Sequence, residues 1–282
     1  MVDLIPARHQ TLWGVPAVVN FALGGTGAGL YVAVAIAIRL GSSPSLTIAS
    51  WLGPALVLAG FVAVSTEAGR PWRGARVLAR VATSWMSREL WLGGLFTILA
   101  AAEFIVPSEV QRLAATVAAV LFVLAQGFIL RQARGVTAWS VSPMPLVFLQ
   151  SALVGGAGLM VVLDVALRVP LDGAVIAPIV ALLPAAVIVW LAFVTWADGA
   201  FADATRPLRE GGLALAIFGA GYVAPFALFA LALALGDHTV APALGGLLMV
   251  IAQAYAKAML ILRCGQLRPI TVPYLRLERR PS

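Results

Sequence analysis

Two carboxylates, Glu67 and Glu89, are the residues of this chain whose type and setting best suit chemistry. They bound the longest polar interruption between two membrane-length apolar runs, and each adjoins apolar sequence. A carboxylate in hydrocarbon costs roughly 3 kcal/mol by insertion data and more by other scales, so it tends to be functional or paired. Burial favours the neutral form, which lets such a group accept a proton near neutral pH. A structural alternative stays open on these residues alone. Glu67 would pair with Arg70 one turn on, and Glu89 would cap the helix it opens, where negative charge suits the dipole.

The redox inventory narrows the chemistry. There is one cysteine, Cys264, so neither a disulfide within the chain nor an iron–sulfur cluster can be built. The two histidines, His9 and His238, lie near opposite ends and offer no axial pair for a membrane haem. No cluster of metal ligands stands out. Any electron carrier is therefore diffusible or housed in another subunit. Quinol oxidation releases protons as electrons leave, and a half-buried Glu near the quinone head group is a fitting acceptor. The stretch 67–90 is accordingly expected to build a quinone site and the surface where a redox partner docks.

The elements that must position these groups follow from composition. The chain has 282 residues, 61% hydrophobic and 11% charged, where a soluble domain is nearer 25% charged. Eight apolar runs are expected to span, at about 16–39, 46–67, 89–106, 110–130, 146–167, 173–196, 212–235 and 240–262. They are long and continuous rather than alternating, which argues for helices and against a barrel. The expectation is an all-α polytopic membrane protein of eight transmembrane helices in two four-helix bundles, 16–134 and 135–262. A short N-terminal segment (1–15) precedes them and a basic tail (263–282) follows.

Eight crossings put both termini on one side. That side holds fifteen basic residues, among them Arg70, Arg73, Arg76, Arg80 and Arg88, against Arg39, Arg112 and Arg168 on the other. The positive-inside rule then places both termini and the 68–88 loop in the cytoplasm, with the chain in a bacterial or archaeal inner membrane. The net charge of +7 suits anionic lipids or an acidic partner. No aromatic-interleaved basic module points to nucleic acid.

Within 71–88, Arg73, Arg76 and Arg80 cluster on one helical face and Val77, Leu78, Val81 and Trp85 on another, which predicts an interfacial amphipathic helix. Trp13, Trp85, Trp91 and Trp139 fit an interfacial belt. In the first span Gly25 and Gly29 have the spacing for close helix packing, and Gly24 and Gly25 also leave a slot that a flat ring could enter. Gly24, Gly25 and Gly27 recur as Gly155, Gly156 and Gly158, a weak repeat consistent with two parallel four-helix halves. Lys257, one to two turns from a span end, reads as a snorkelling lysine. Gln126, Gln150 and Gln253 read as interhelical hydrogen-bonding residues, and Asp198 as a cap or a partner of Arg206.

Two motifs resemble those of the NrfD-like membrane subunits, the group that includes the polysulfide reductase and dimethyl sulfoxide reductase anchors. One is Glu67-Ala68-Gly69-Arg70-Pro71-Trp72-Arg73, closing the second span. The other is Ser84-Trp85-Met86-Ser87-Arg88-Glu89-Leu90, opening the third. The resemblance implies a haem-free anchor that binds menaquinone or ubiquinone. It also implies a ferredoxin-like four-cluster iron–sulfur subunit and a molybdenum or tungsten bis-pterin catalytic subunit as partners, and a role in anaerobic respiration. It places Glu67 and Glu89 at the quinone pocket as proton-handling groups. Gly24, Gly25, Arg70, Arg73, Trp85 and Arg88 are the expected binding residues around them. Glu67 where the sulfoxide-reductase type has His, and Ala68 where Leu is usual, depart from the pattern. The competing class is a secondary transporter or ion-translocating subunit, which would hold its charges at the membrane midplane. A purely structural anchor is the third reading.

Overall fold

Gly14 and Pro16 start the first long helix, since proline is preorganised for a helix's opening turn. The computed structural model describes residues 2–5, 8–41, 46–67, 75–169, 173–236, 239–268 and 270–272. After a strand β1 (Val2–Ile5) come α1 (Val15–Arg39) and α2 (Leu46–Ser65), a single turn α3 (Ala75–Leu78), then α4 (Trp85–Ile105) and α5 (Glu109–Arg131). The second half holds α6 (Met144–Ala166), α7 (Gly173–Val194), a short α8 (Ala200–Arg209), and one continuous helix made of α9 (Gly211–Leu215), a π-helical stretch (Ala216–Val223) and α10 (Ala224–Leu235). α11 (Val240–Leu262) and strand β2 (Ile270–Val272) follow.

Helix α1 is the axis of the molecule, packed against α2, α5, α6 and α11. Its 25 residues rise about 37 Å at about 1.5 Å each, enough to cross a hydrocarbon core of about 30 Å. Helices in lipid gain little from apolar burial and associate where small residues let backbones meet. Here a Cβ on Gly29 would overlap the Ala152 carbonyl of α6, and one on Gly156 would overlap the Gly29 backbone. Gly27 meets Gly53 of α2, and Gly158 meets Gly246 of α11, in the same way. Close backbone contacts thus lock α1 to α6 and α2, and α6 to α11.

Among the described residues, seven helices are long and apolar enough to cross a membrane: α1, α2, α5, α6, α7, the 211–235 helix and α11. The chain is a multi-pass membrane protein. The eighth expected span, α4, has 21 residues but carries Arg88, Glu89 and Glu103, which lower its apolar character. It packs along α5 and against α2. The expected helix over 71–88 differs from what forms. Among the described residues only Ala75–Leu78 is helical, the chain then turns through Arg80 and Thr83, and Trp85 already belongs to α4.

Beyond the helices, β1 pairs antiparallel with β2, and backbone bonds join Gln10 to Gly265, Leu267 to Arg8 and Arg268 to Gly135. The two ends of the chain therefore meet on one face. Helix α8 is amphipathic, with Phe201, Ala204 and Leu208 buried and Asp203, Arg206 and Arg209 exposed. Arg206 pairs with Glu210 at 2.9 Å, not with Asp198. Trp139 is core rather than belt, its indole N–H donating to the Leu260 carbonyl at 2.9 Å. Cys264 is also core, and burial pushes its thiol up to about 12, which makes it an unreactive side chain.

Candidate functional site

Ser84, the residue before α4, caps that helix by accepting from the Ser87 N–H. Glu89 therefore stands in the second turn and caps nothing. It is only 5% exposed. Oε1 accepts from Asn20 Nδ2 on α1 and from Gln126 Nε2 on α5, each at 3.1 Å. Oε2 has no hydrogen-bond partner among the described residues. A buried carboxylate without a cationic partner is costly, and two neutral amide donors offset only part of that cost.

Glu89 lines a cleft of about 250 Å³ between the ends of α1, α2, α4 and α5. Glu67 lines it too. The helix pattern set the depth of the two carboxylates but not their rotation, and both turn towards the same space. Glu67 is exposed at the mouth, where its Oε1 accepts the Gly14 N–H at 2.8 Å, at the amino end of α1. A negative charge is favoured at that position. Asn20 is the third polar group lining the cleft, and its Oδ1 is buried without a hydrogen-bond partner among the described residues.

The walls are apolar and aromatic, from Trp13, Phe21, Phe61, Leu90 and Ile129. Trp13 stacks obliquely between Phe21 and Trp139, at 5.8 and 5.4 Å between ring centroids. Phe61 is held edge-on against Phe122 at 5.8 Å and occupies the space that a Gly93 side chain would need. The result is a slot with aromatic walls, lined by the buried Glu89 side chain and by Asn20, with the Glu67 carboxylate at the entrance. Such a slot suits a planar apolar molecule with a polar edge.

A family model for the DMSO reductase anchor subunit (DmsC) matches residues 9–200. The chain belongs to the DMSO reductase anchor family. Comparison with curated proteins gave no match. In this DmsC-family anchor the matched interval takes in the whole cleft. It ends at the first residue of α8, so the π-helical stretch and α11 lie beyond it.

The other expected site residues are placed differently from the two acids. Trp85 stacks on Phe128 with ring centroids 4.2 Å apart, and the Arg88 guanidinium lies 4.3 Å over the Trp85 ring. Arg88 donates to the carbonyls of Val81 and Ala82 at 2.9 and 2.8 Å, which ties the 79–83 turn to α4. Trp85 lines a separate basic hollow with Arg131 and Arg134, not the acid cleft. Gly24 faces Gln126 and Phe122, and Gly25 faces Lys257 and Gln126, so neither lines the cleft and their lack of side chains serves helix packing around those groups. Arg70 and Arg73 lie outside the described residues.

Three groups were not singled out correctly by sequence. Asn20 had no signal beyond being polar in an apolar run. Glu103, 1% exposed on α4, accepts from Arg112 Nε at 2.7 Å and from the Tyr31 hydroxyl, forming a buried ion pair at the end of the bundle away from the cleft. Its signal was an acid enclosed by Ala and Phe, followed by an Arg early in the next helix. Lys257 does not snorkel: it is 3% exposed and its Nζ is enclosed by protein.

Proposed function

We propose that the cleft between α1, α2, α4 and α5 binds the ring of a membrane quinone, and that Glu89 handles one of its protons. The observation that carries this reading is the state of Glu89, a buried carboxylate with Oε1 fixed by two amides and Oε2 free beside a flat-walled apolar slot. When a quinol is oxidised, Oε2 takes a hydroxyl proton while Asn20 and Gln126 hold the carboxylate in place. Asn20 lines the same slot and is the proposed partner of the second hydroxyl. Glu67 at the mouth passes protons to water. For a quinone being reduced the same residues act in reverse.

Electrons go to, or come from, an iron–sulfur subunit of the complex, which exchanges them with a molybdenum or tungsten catalytic subunit. The basic face beside the cleft, with Trp85, Arg88, Arg131 and Arg134, is the proposed docking surface. The meeting of β1 with β2 on one side requires an even number of crossings, which supports α4 as the eighth span. The fifteen-to-three distribution of basic residues supports placing that face in the cytoplasm.

Purification in mild detergent, with assays for iron and for molybdenum and tungsten, tests the assignment. An iron–sulfur polypeptide is expected to accompany the chain in stoichiometric amount. A chain that purifies alone, with no iron, contradicts it.

A further inference from the structure

A second polar cluster lies across α1 from the cleft; Gln150 and Ser151 of α6 fall within the stretch that the family model covers, and the residues on α11 and the π-helical stretch lie beyond it. Lys257 Nζ, Gln150 Nε2 and Ser151 Oγ are all buried with no hydrogen-bond partner among the described residues, and both amide atoms of Gln253 are buried with no bond of good geometry there, although Gln253 lies close to the Tyr222 hydroxyl. Gln253 and Lys257 are four residues apart on one face of α11. Gln150 accepts from the Tyr222 hydroxyl at 3.2 Å, and Gln253 Nε2 lies 3.7 Å from where a Gly221 Cβ would be. Gly221 and Tyr222 belong to the π-helical stretch, a distortion concentrated at functional sites.

The cluster reaches the cleft network at Gly25. Lys257 Nζ and Gln126 Oε1 lie 3.0 and 3.6 Å from the position of a Gly25 Cβ, so they approach one another in the space that glycine leaves. Gln126 Oε1 is itself unpaired, and the same side chain donates to Glu89. Buried polar atoms without protein partners are satisfied by ordered water where several converge. A buried amine with no carboxylate beside it also needs such water to carry charge.

We propose that Lys257, Gln253, Gln150, Ser151 and Tyr222 enclose a buried water cluster that holds a proton and is coupled to Glu89 through Gln126. Its use rests on the quinone reading above. Two quinol O–H bonds break and both electrons leave to the iron–sulfur subunit. One proton forms an O–H bond on Glu89, and the other, carried by the waters, forms an N–H bond on the Lys257 amine. The titratable groups near Lys257 are Tyr222 on the π-helical stretch and, behind Gln126 of α5, Glu89. α1 contributes Gly25 and Thr26 there, neither of them titratable. On α6, Asp164 lies more than three turns from Ser151, and the charged side chains of α8, Asp203, Arg206 and Arg209, are exposed.

Two measurements on the full chain in lipid nanodiscs test this without quinone turnover. In infrared difference spectra, the carboxylic acid band assigned by its loss in Glu89→Gln should titrate about one pH unit higher in Lys257→Met, because the ammonium that Lys257 forms on taking up a proton favours the ionised acid and methionine forms none. Lys257→Arg, which keeps the charge, should leave the midpoint in place. An unchanged midpoint in Lys257→Met overturns the coupling. In X-ray radiolytic labelling of the unmodified chain, Tyr222 should be oxidised well above Tyr31 although both are 1% exposed, because bound water supplies the radicals. Equal, negligible labelling of both overturns the water cluster, and this arm decides the matter if Lys257→Met fails to fold. Absence of quinone from the cleft would defeat the function proposed above and leave both of these results as they are.

Discussion

Glu89→Gln is expected to lower quinol-coupled electron transfer by at least about 100-fold while the complex still assembles. Positioned proton acceptors contribute roughly 10²- to 10⁴-fold. Glutamine matches glutamate in shape and presents a carbonyl oxygen to the Asn20 and Gln126 amides, so packing around α4 persists. What it cannot do is take the proton at the position of Oε2. The loss should therefore fall on kcat, with thermal stability and subunit stoichiometry unchanged. Glu67→Gln provides the contrast. That carboxylate is exposed and, among the described residues, makes one hydrogen bond, to the Gly14 N–H, so an amide at the mouth, with water near at hand, should cost less than about tenfold. Measuring both variants with a soluble quinol analogue checks the pair. Equal, mild losses would return Glu89 to a structural role.

The largest effect on the fold is expected at the crossing of α1 and α6. In Gly29→Val a side chain must enter space occupied by the Ala152 carbonyl and the backbone around it. Overpacking costs about 1–3 kcal/mol where flexible side chains can yield. Here the obstacle is backbone on a central helix, so the cost should reach or exceed the top of that range. Separation of α1 from α6 also disturbs Gly25 and, two turns back, Asn20. The chain should be depleted from membranes, and any surviving protein should melt at markedly lower temperature. Gly94→Ala is the control. Nothing lies within 4 Å of its Cβ position, and alanine suits a helix interior better by up to about 1 kcal/mol. Thermal denaturation of the two variants in one detergent makes the comparison.

Much of this architecture was legible in the sequence because membrane helices must satisfy their own backbone and so announce themselves by length. The expected spans agree with the helices to within a few residues, except that α4 starts at Trp85. That small shift matters, since it moves Glu89 from a helix end to an interior turn. The two acids were found because charge beside long apolar runs is rare. Rotation was not legible: Trp85 and Arg88 sit in the same motif as Glu89, yet Trp85 lines a different hollow and Arg88 lies over Trp85 and ties down the 79–83 turn. Asn20 and Gln126 gave no sign of converging on one carboxylate, because that requires the three-helix contact of α1, α4 and α5. Lys257 was misjudged because its distance from the span end permits snorkelling, and only the α1–α11 contact at Gly25 encloses it. The π-helical stretch carries no distinct sequence pattern. The Gly repeat proved informative in one respect: Gly24 faces Gln126 and Gly155 faces Gln253, so each half sets a glycine of its first long helix against a glutamine of its last.

Photo-crosslinking of an azido-menaquinone in native membranes, followed by peptide mapping, tests quinone occupancy of the cleft most directly. Saturable labelling is expected in peptides containing Phe61, Met86 and Leu90, displaced by excess unlabelled quinone and reduced in Glu89→Gln. Labelling confined to the apolar groove between α1, α6 and α7, at Ala37, Leu153 and Ile179, or labelling that unlabelled quinone does not displace, would contradict it.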